Sequence, residues 1–228
     1  MTPMVDDIGR YLSSPSNREK VFELLGEHVV LAVLPLLIGL VAAVPLGWAA
    51  QRVRWLRAPV LGSASVLYTV PSLALFVIMP SILGTRILDG ANVVVALALY
   101  TVALLLRPVV DALDALPGHV VAAATAMGYR PARRFVAVEL PMAVPVLAAS
   151  VRVASASNIS LVSVGAFIGI GGLGQLFTEG FQTRYLAPIV IGILLTLLLA
   201  LAMDLLLVGL RRAATPWARA GLRAGARA

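Results

Sequence analysis

Few residues of this 228-residue chain have the types and spacing that enzymatic chemistry requires. His28 and His119 lie far apart in sequence, the chain has no cysteine, and no carboxylate cluster accompanies either histidine, so no metal site is expected. A phosphate-binding loop needs Gly-Lys-Ser or Gly-Lys-Thr, whereas the single lysine, Lys20, lies between Glu19 and Val21. The sequence therefore predicts neither a catalytic site nor a nucleotide site in this chain.

Three glycines match the spacing of a dinucleotide-binding loop, G-x-G-x-x-G: Gly169, Gly171 and Gly174. Such a loop follows a strand and is followed, about 20 residues later, by an acidic residue. Here the glycines follow an apolar stretch, and residues 185–203 contain no acid. We interpret them as a tight turn or a close helix contact.

The elements that must position these residues are strongly apolar. Hydrophobic residues make up 60% of the chain, its mean hydropathy is +0.96, and 13% of residues are charged, against about 25% in a typical soluble domain. Half of the chain falls in five stretches without Asp, Glu, Lys or Arg: 28–51, 58–85, 90–106, 153–178 and 185–203. This pattern excludes a soluble enzyme and a disordered tail. It also argues against a nucleic-acid partner, because the arginines behind the pI of 10.8 lie at the ends of apolar runs.

We predict an all-α membrane protein with about five transmembrane helices, since roughly 20 apolar residues in a helix span a bilayer and satisfy their own backbone. The predicted crossings are 29–50, 59–83, 91–110, 142–168 and 186–210. The predicted organisation is a polar segment 1–27, a transmembrane domain 28–211 and a basic tail 212–228. Residues 17–27 are predicted to form a short amphipathic helix on the membrane surface.

The distribution of basic residues predicts how these helices are oriented. With five crossings, twelve arginines fall on one side of the membrane, against five Arg and Lys residues on the other. The richer side is placed in the cytoplasm, so segment 1–27 is extracytoplasmic, the basic tail is cytoplasmic, and the chain is a multi-pass protein of the inner membrane. Asp204, near the cytoplasmic end of the last crossing, is expected to pair with Arg211 or Arg212.

The longest predicted cytoplasmic connection is residues 111–141, between the third and fourth crossings. A loop of that length is usually functional. Its composition predicts a short helix over 120–127, ended by Gly128 in a left-handed conformation, and a second short helix begun by Pro131. Small alanines suit close contact with a partner protein, and an amphipathic helix on anionic lipid is the alternative.

Polar side chains inside the apolar stretches are candidates for lining a water-accessible pathway, because they are costly in lipid. The fourth predicted crossing carries Arg152, Ser155 and Asn158, for which hydrogen bonding between packed helices is the alternative. In the second crossing the candidates are Tyr68 and Pro71. The Tyr68 ring offers a face to a quaternary ammonium, and core packing is its alternative.

The long loop resembles the EAA loop of ABC importer permeases, whose pattern is E-A-A-x3-G-x9-I-x-L-P. Aligned on Gly128, the matching positions are Ala123, Ala124, Val138, Leu140 and Pro141, with Ala122 in place of the glutamate. The resemblance implies that this loop docks into a cytoplasmic ATPase subunit and passes its motion to the membrane helices. Any contact that the glutamate makes in relatives is absent here.

Further segments resemble one branch of that family, the permeases for glycine betaine, choline and related osmoprotectants: 26–28, 44–47, 70–76 and 166–174. The resemblance implies a fold like that of methionine-importer permeases and a role as the transmembrane subunit of an ATP-driven osmoprotectant importer. Its partners would be cytoplasmic ATPase subunits, an extracytoplasmic substrate-binding protein and a second permease copy or homologue, all within or beside membrane lipid. ATP and Mg²⁺ would be held by the ATPase, so this chain is expected to bind no cofactor and to catalyse no reaction.

Two other functions stay open. The Gly-Gly-Leu-Gly element at 171–174 also occurs in methionine-type permeases, so import of methionine or another small solute is the first alternative. A secondary transporter that works without an ATPase is the second, although such proteins normally show an internal repeat and none is found. An intramembrane enzyme would need a carboxylate or histidine pair at membrane depth, which the sequence does not offer.

Overall fold

The computed structural model describes residues 3–216, and in this part of the chain it contains helices and no strand. The first half holds α1 (Pro3–Ser13), α2 (Pro15–Arg52), α3 (Arg54–Thr69), α4 (Ser72–Leu83) and α5 (Gly90–Asp114). The second half holds α6 (Gly118–Ala126), α7 (Pro131–Arg134), α8 (Leu140–Val164), α9 (Gln175–Thr183) and α10 (Leu186–Ala214). A π-helical turn, Phe135–Glu139, joins α7 to α8, and two 3-10 turns, Gly165–Ile168 and Gly172–Gly174, precede α9. Most of the predicted basic tail, 217–228, lies outside the described residues.

The long apolar helices agree with the predicted membrane fold. Four stretches are long and apolar enough to cross a bilayer: Pro15–Arg52, Gly90–Asp114, Pro131–Ile168 and Leu186–Ala214. The pair α3 and α4 passes the same test together but is bent by 107°. Residues 3–216 therefore hold four candidate crossings, or five if the bent pair counts as one.

The predicted second crossing, 59–83, is a broken helix. Pro71 has no backbone N–H and restricts the residue before it, so Val70 adopts an extended conformation with φ −65° and ψ 131°. The hydroxyl of Tyr100 on α5 donates to the carbonyl of Val70. This bond supplies the freed backbone oxygen with a partner that a continuous helix would have provided.

The segment predicted as a separate surface helix, 17–27, is instead the first part of α2, which runs unbroken to Arg52. Its apolar side is covered by protein rather than by lipid, in a cluster that contains Val21, Leu24, Leu173 and Leu176. At 1.5 Å per residue, α2 is about 57 Å long. It therefore extends well beyond the roughly 30 Å hydrocarbon core of a bilayer.

The core of the bundle lies between α2, α5 and α8. A Cβ on Gly39 would lie 2.4 Å from Cβ of Thr101, and a Cβ on Gly47 would lie 2.5 Å from Cγ1 of Val109. Glycines at such positions let helix backbones approach closely in membranes. α8 packs on both α2 and α5, whereas α10 packs on α8 and α9 at the edge of the bundle.

Candidate functional site

The loop between α5 and α8 contains two short helices joined by a left-handed glycine. Gly128 has φ +82°, and the N–H groups of Gly128 and Tyr129 donate back to the carbonyls of Thr125 and Ala124 at 3.0 and 3.2 Å. Pro131 occupies the first turn of α7, where no intrahelical bond requires its missing N–H. Both the helix end and the helix start agree with the sequence prediction.

One side of α6 presents a small, mostly apolar surface. Ala122 and Ala123 are exposed, whereas Ala124 is buried. Met127, just after the helix, is 70% exposed. Alanines permit close approach and an unbranched methionine adapts to the shape of a partner, so this surface suits protein contact rather than reaction chemistry.

The second half of the EAA-like pattern, residues 138–141, lies where the loop returns to the membrane. Val138 is half-buried in the π-helical turn, Leu140 begins α8, and Pro141 is in its first turn. Leu140 packs against a cluster that includes Leu113 and Leu147. The structure therefore packs this half of the motif against the core and leaves Ala122 and Ala123 on α6 exposed.

A buried carboxylate links the loop to the rest of the bundle, and the sequence analysis missed it. Glu139 is 5% exposed, and its Oε1 accepts from Nε of Arg134 at 2.6 Å and from Nη2 of Arg52 at 3.2 Å. Arg134 also donates to the hydroxyl of Thr125 on α6. One charge therefore connects the end of α2, both loop helices and the start of α8.

Aromatic packing reinforces the same junction. The rings of Trp48 on α2 and Phe135 in the π-helical turn have centroids 4.8 Å apart. The guanidinium of Arg52 lies 4.8 Å from the centroid of the Trp48 ring, within cation–π range. The end of α2 is therefore held to the returning loop by charge and by ring contacts together. We call these residues, Trp48, Arg52, Arg134, Phe135 and Glu139, the junction network.

At the other end of the bundle, His28 holds the glycine-rich turn. His28 is fully buried, and Nδ1 accepts from the N–H of Leu173 at 3.2 Å, which places the ring proton on Nε2. Nε2 then donates to the carbonyl of Ile159 at 3.0 Å. Gly172 has φ +47°, and a Cβ there would lie 2.7 Å from Cα of His28. Gly172 was not among the three glycines interpreted from the sequence. Of those three, Gly169 forms a turn with φ +87°, and Gly174 makes a close helix contact, because a Cβ there would lie 2.5 Å from the carbonyl oxygen of Ser163 on α8.

The candidate pathway residues of the fourth crossing do not share one open face. Asn158 is 1% exposed and donates to Oγ1 of Thr101 at 3.0 Å, and Ser155 is 4% exposed. The burial of Asn158 and Ser155 agrees with the alternative given for them in the sequence analysis, which is hydrogen bonding between packed helices. In the second crossing, Tyr68 is 51% exposed, Pro71 is exposed, and the Tyr68 ring meets Tyr100 edge-on at 6.1 Å. That these residues line a pathway stays a prediction.

Asp204 pairs with Arg152 and not with the partner expected from the sequence. Nε and Nη2 of Arg152 donate to the two carboxylate oxygens of Asp204 at 2.5 and 2.8 Å, in a fork-to-fork pair between α8 and α10. Both side chains are 37% exposed. The expectation that Asp204 pairs with Arg211 or Arg212 considered only neighbours on the same helix and is wrong for this carboxylate.

The apolar helices define a multi-pass membrane subunit, and the loop between α5 and α8 presents a surface suited to contact with a partner protein. The sequence carries no nucleotide-binding motif. Residues 35–215 match the family described as binding-protein-dependent transport system inner membrane component. The chain belongs to this family, as its resemblance to ABC importer permeases predicted.

Two curated relatives match almost end to end. The osmoprotectant import permease protein OsmW of Salmonella typhimurium is 36% identical over 216 residues, which cover 93% of this chain and 95% of the relative. The choline transport system permease protein OpuBD of Bacillus subtilis is 30% identical over 202 residues, covering 88% of each chain. The resemblance to the osmoprotectant branch is thereby confirmed.

A solved structure supports the fold. One chain of the inward-facing MetNI methionine ABC transporter superposes with a TM-score of 0.68 at 23% identity, covering 94% of this chain and 99% of that one. At this identity the match supports the fold alone. It confirms the predicted fold, which is similar to that of methionine-importer permeases.

Proposed function

We propose that this chain is the membrane-spanning subunit of an ATP-driven importer for glycine betaine, choline or a related osmoprotectant. The observation that carries the proposal is the full-length match to an osmoprotectant import permease at 36% identity. The loop around Gly128 supports it, since an exposed alanine surface anchored by a buried ion pair suits transmission of force from a partner. The N-terminus is placed outside and the C-terminus in the cytoplasm.

The proposed partners follow from what the described chain provides. It carries no nucleotide motif, so two cytoplasmic ATPase subunits hold ATP and Mg²⁺. A binding protein delivers the solute from outside, and a second permease copy or a homologue completes the pathway. ATP binding closes the ATPase pair and moves the loop, the helices switch from inward-open to outward-open, and hydrolysis resets them.

Reconstitution tests this proposal. The chain is co-expressed with candidate ATPase and binding-protein genes from the same genome, and the purified complex is placed in vesicles and supplied with labelled glycine betaine, choline or methionine. Uptake of a quaternary ammonium solute that needs both ATP and the binding protein is expected. Uptake of methionine alone would favour the first alternative, and uptake by the chain without any ATPase would overturn the proposal in favour of a secondary transporter.

A further inference from the structure

Two exposed helix faces of this protein differ in composition. On α10 the exposed face is leucine, for example Leu197, Leu198 and Leu201 at 62%, 59% and 55% exposure, as expected for contact with lipid tails. On α3 one exposed face carries the hydroxyls of Ser65 and Thr69, which donate within the helix to the carbonyls of residues 61 and 66 at 2.9 and 2.7 Å. Val66 lies beside them and is 67% exposed.

Arg107 gives a second, independent reason to place water beside α3. It lies on α5, about 10 Å before the helix ends at Asp114, and it is exposed. Within residues 3–216 its side chain has no hydrogen bond or ion pair. Near the cytoplasmic end of a crossing, a charged side chain faces water in a groove or reaches along its stem to the headgroup region.

The structure has an open groove beside Arg107. Arg107, Arg54 and Arg57 line a space of about 390 Å³ together with Gly62 and Ser65 of α3. Arg57 is paired with Asp114 at 2.7 Å, whereas Arg54 and Arg107 have no carboxylate partner within the described residues. The hydroxyl face of α3 therefore ends in a cluster with excess positive charge.

We propose that the solute path runs along α3, from Tyr68 past Thr69 and Ser65 to the cluster of Arg54 and Arg107, and not along the buried polar side of α8. This inference rests on the proposed function for the identity of the solute. The exposed Tyr68 ring suits a quaternary ammonium. The arginine cluster attracts a carboxylate and repels a net cation, so it favours zwitterionic glycine betaine over choline.

Cysteine labelling tests the path, because the natural chain has no cysteine. Ser65→Cys and Thr69→Cys are made singly in the assembled transporter in vesicles, with Leu198→Cys on the leucine face and buried Ser155→Cys as controls. A sulfonate-bearing methanethiosulfonate that cannot enter lipid is expected to modify the two α3 cysteines and neither control. If the α3 cysteines react no faster than Leu198→Cys, that face meets lipid or a dry surface of a second copy, and the inference is overturned.

Charge selectivity tests the arginine cluster separately. Arg107→Gln is expected to lower the ratio of glycine betaine uptake to choline uptake by about tenfold, with Arg86→Gln, in the exposed connection between α4 and α5, as the matched control. An unchanged ratio would refute the assigned role of Arg107. If the natural transporter takes up neither solute, the proposed function fails, yet the labelling pattern still decides where the path runs.

Discussion

Arg134 donates from Nε to Oε1 of Glu139 over 2.6 Å, and the carboxylate that receives this bond is almost completely buried. Arg52 donates to the same oxygen from the end of α2. A buried charge is stable only when it is paired, and removal of its partner leaves an uncompensated ion. Displacement of the loop that carries Arg134 therefore acts on Glu139, and through it on α2.

Glu139→Gln is expected to uncouple the transporter. The amide keeps a hydrogen-bond acceptor but loses the charge, so α2 no longer follows the loop, and solute uptake per ATP hydrolysed falls by about tenfold. Uptake and hydrolysis are measured in the same vesicles. Glu179→Gln, which removes the carboxylate of the more exposed Lys20–Glu179 pair, is the control. An unchanged ratio in Glu139→Gln would contradict the role of the junction network.

Gly128→Val is expected to abolish coupled uptake while membrane insertion stays normal. A Cβ at this position meets no atom within 4 Å, so the cost arises from φ +82° alone, about 1–2 kcal/mol for an L-residue and more for a β-branched one. Gly118→Val is the matched control, since Gly118 lies in the same loop with equally open space and no left-handed φ. Gly128→Asn should retain most uptake, because asparagine tolerates this conformation. Normal uptake by Gly128→Val would refute the requirement for a left-handed turn.

Local patterns predicted much of the fold, and contacts between distant segments account for what they missed. Charge-free stretches predict the crossings because a bilayer requires them, and Gly128 and Pro131 predict a helix boundary because each acts on its own backbone. The junction network was not predictable in this way, since Arg52 and Glu139 are 87 residues apart in sequence. The same distance effect explains the error at Asp204, whose partner lies 52 residues away on another helix.

The break between α3 and α4 shows a further limit of local patterns. Pro71 predicts a kink or a helix start, but the bend of 107° depends on packing against α5, where the hydroxyl of Tyr100 donates to the freed carbonyl of Val70. Similarly, an amphipathic pattern over residues 17–27 predicts a covered apolar side without saying whether lipid or protein covers it. Leu173 and Leu176, in and just after the glycine-rich turn, provide that cover from a distant part of the sequence.

Gly172→Ala is expected to destabilise the bundle by about 1–3 kcal/mol, the usual cost of overpacking a closed contact. The added Cβ would lie 2.7 Å from Cα of His28, and φ +47° strains any residue with a side chain. Thermal unfolding in detergent measures the effect as a lower Tm. Gly26→Ala, where a Cβ meets nothing within 4 Å, is the control, and equal Tm values for the two variants would contradict the packing argument.

The Arg152–Asp204 pair predicts a specific double-mutant pattern. Each side chain alone would leave a half-exposed charge on a membrane-spanning helix, so Arg152→Leu and Asp204→Leu should each lower the amount of folded protein recovered from membranes. The double variant replaces the pair by apolar side chains, which such sites often tolerate, and it should recover most of that loss. Size-exclusion chromatography of a fluorescent fusion measures the folded fraction. A double variant that loses as much as the two single variants combined would show that the two side chains act independently, and the fork-to-fork pair would then contribute nothing to the packing of α8 on α10.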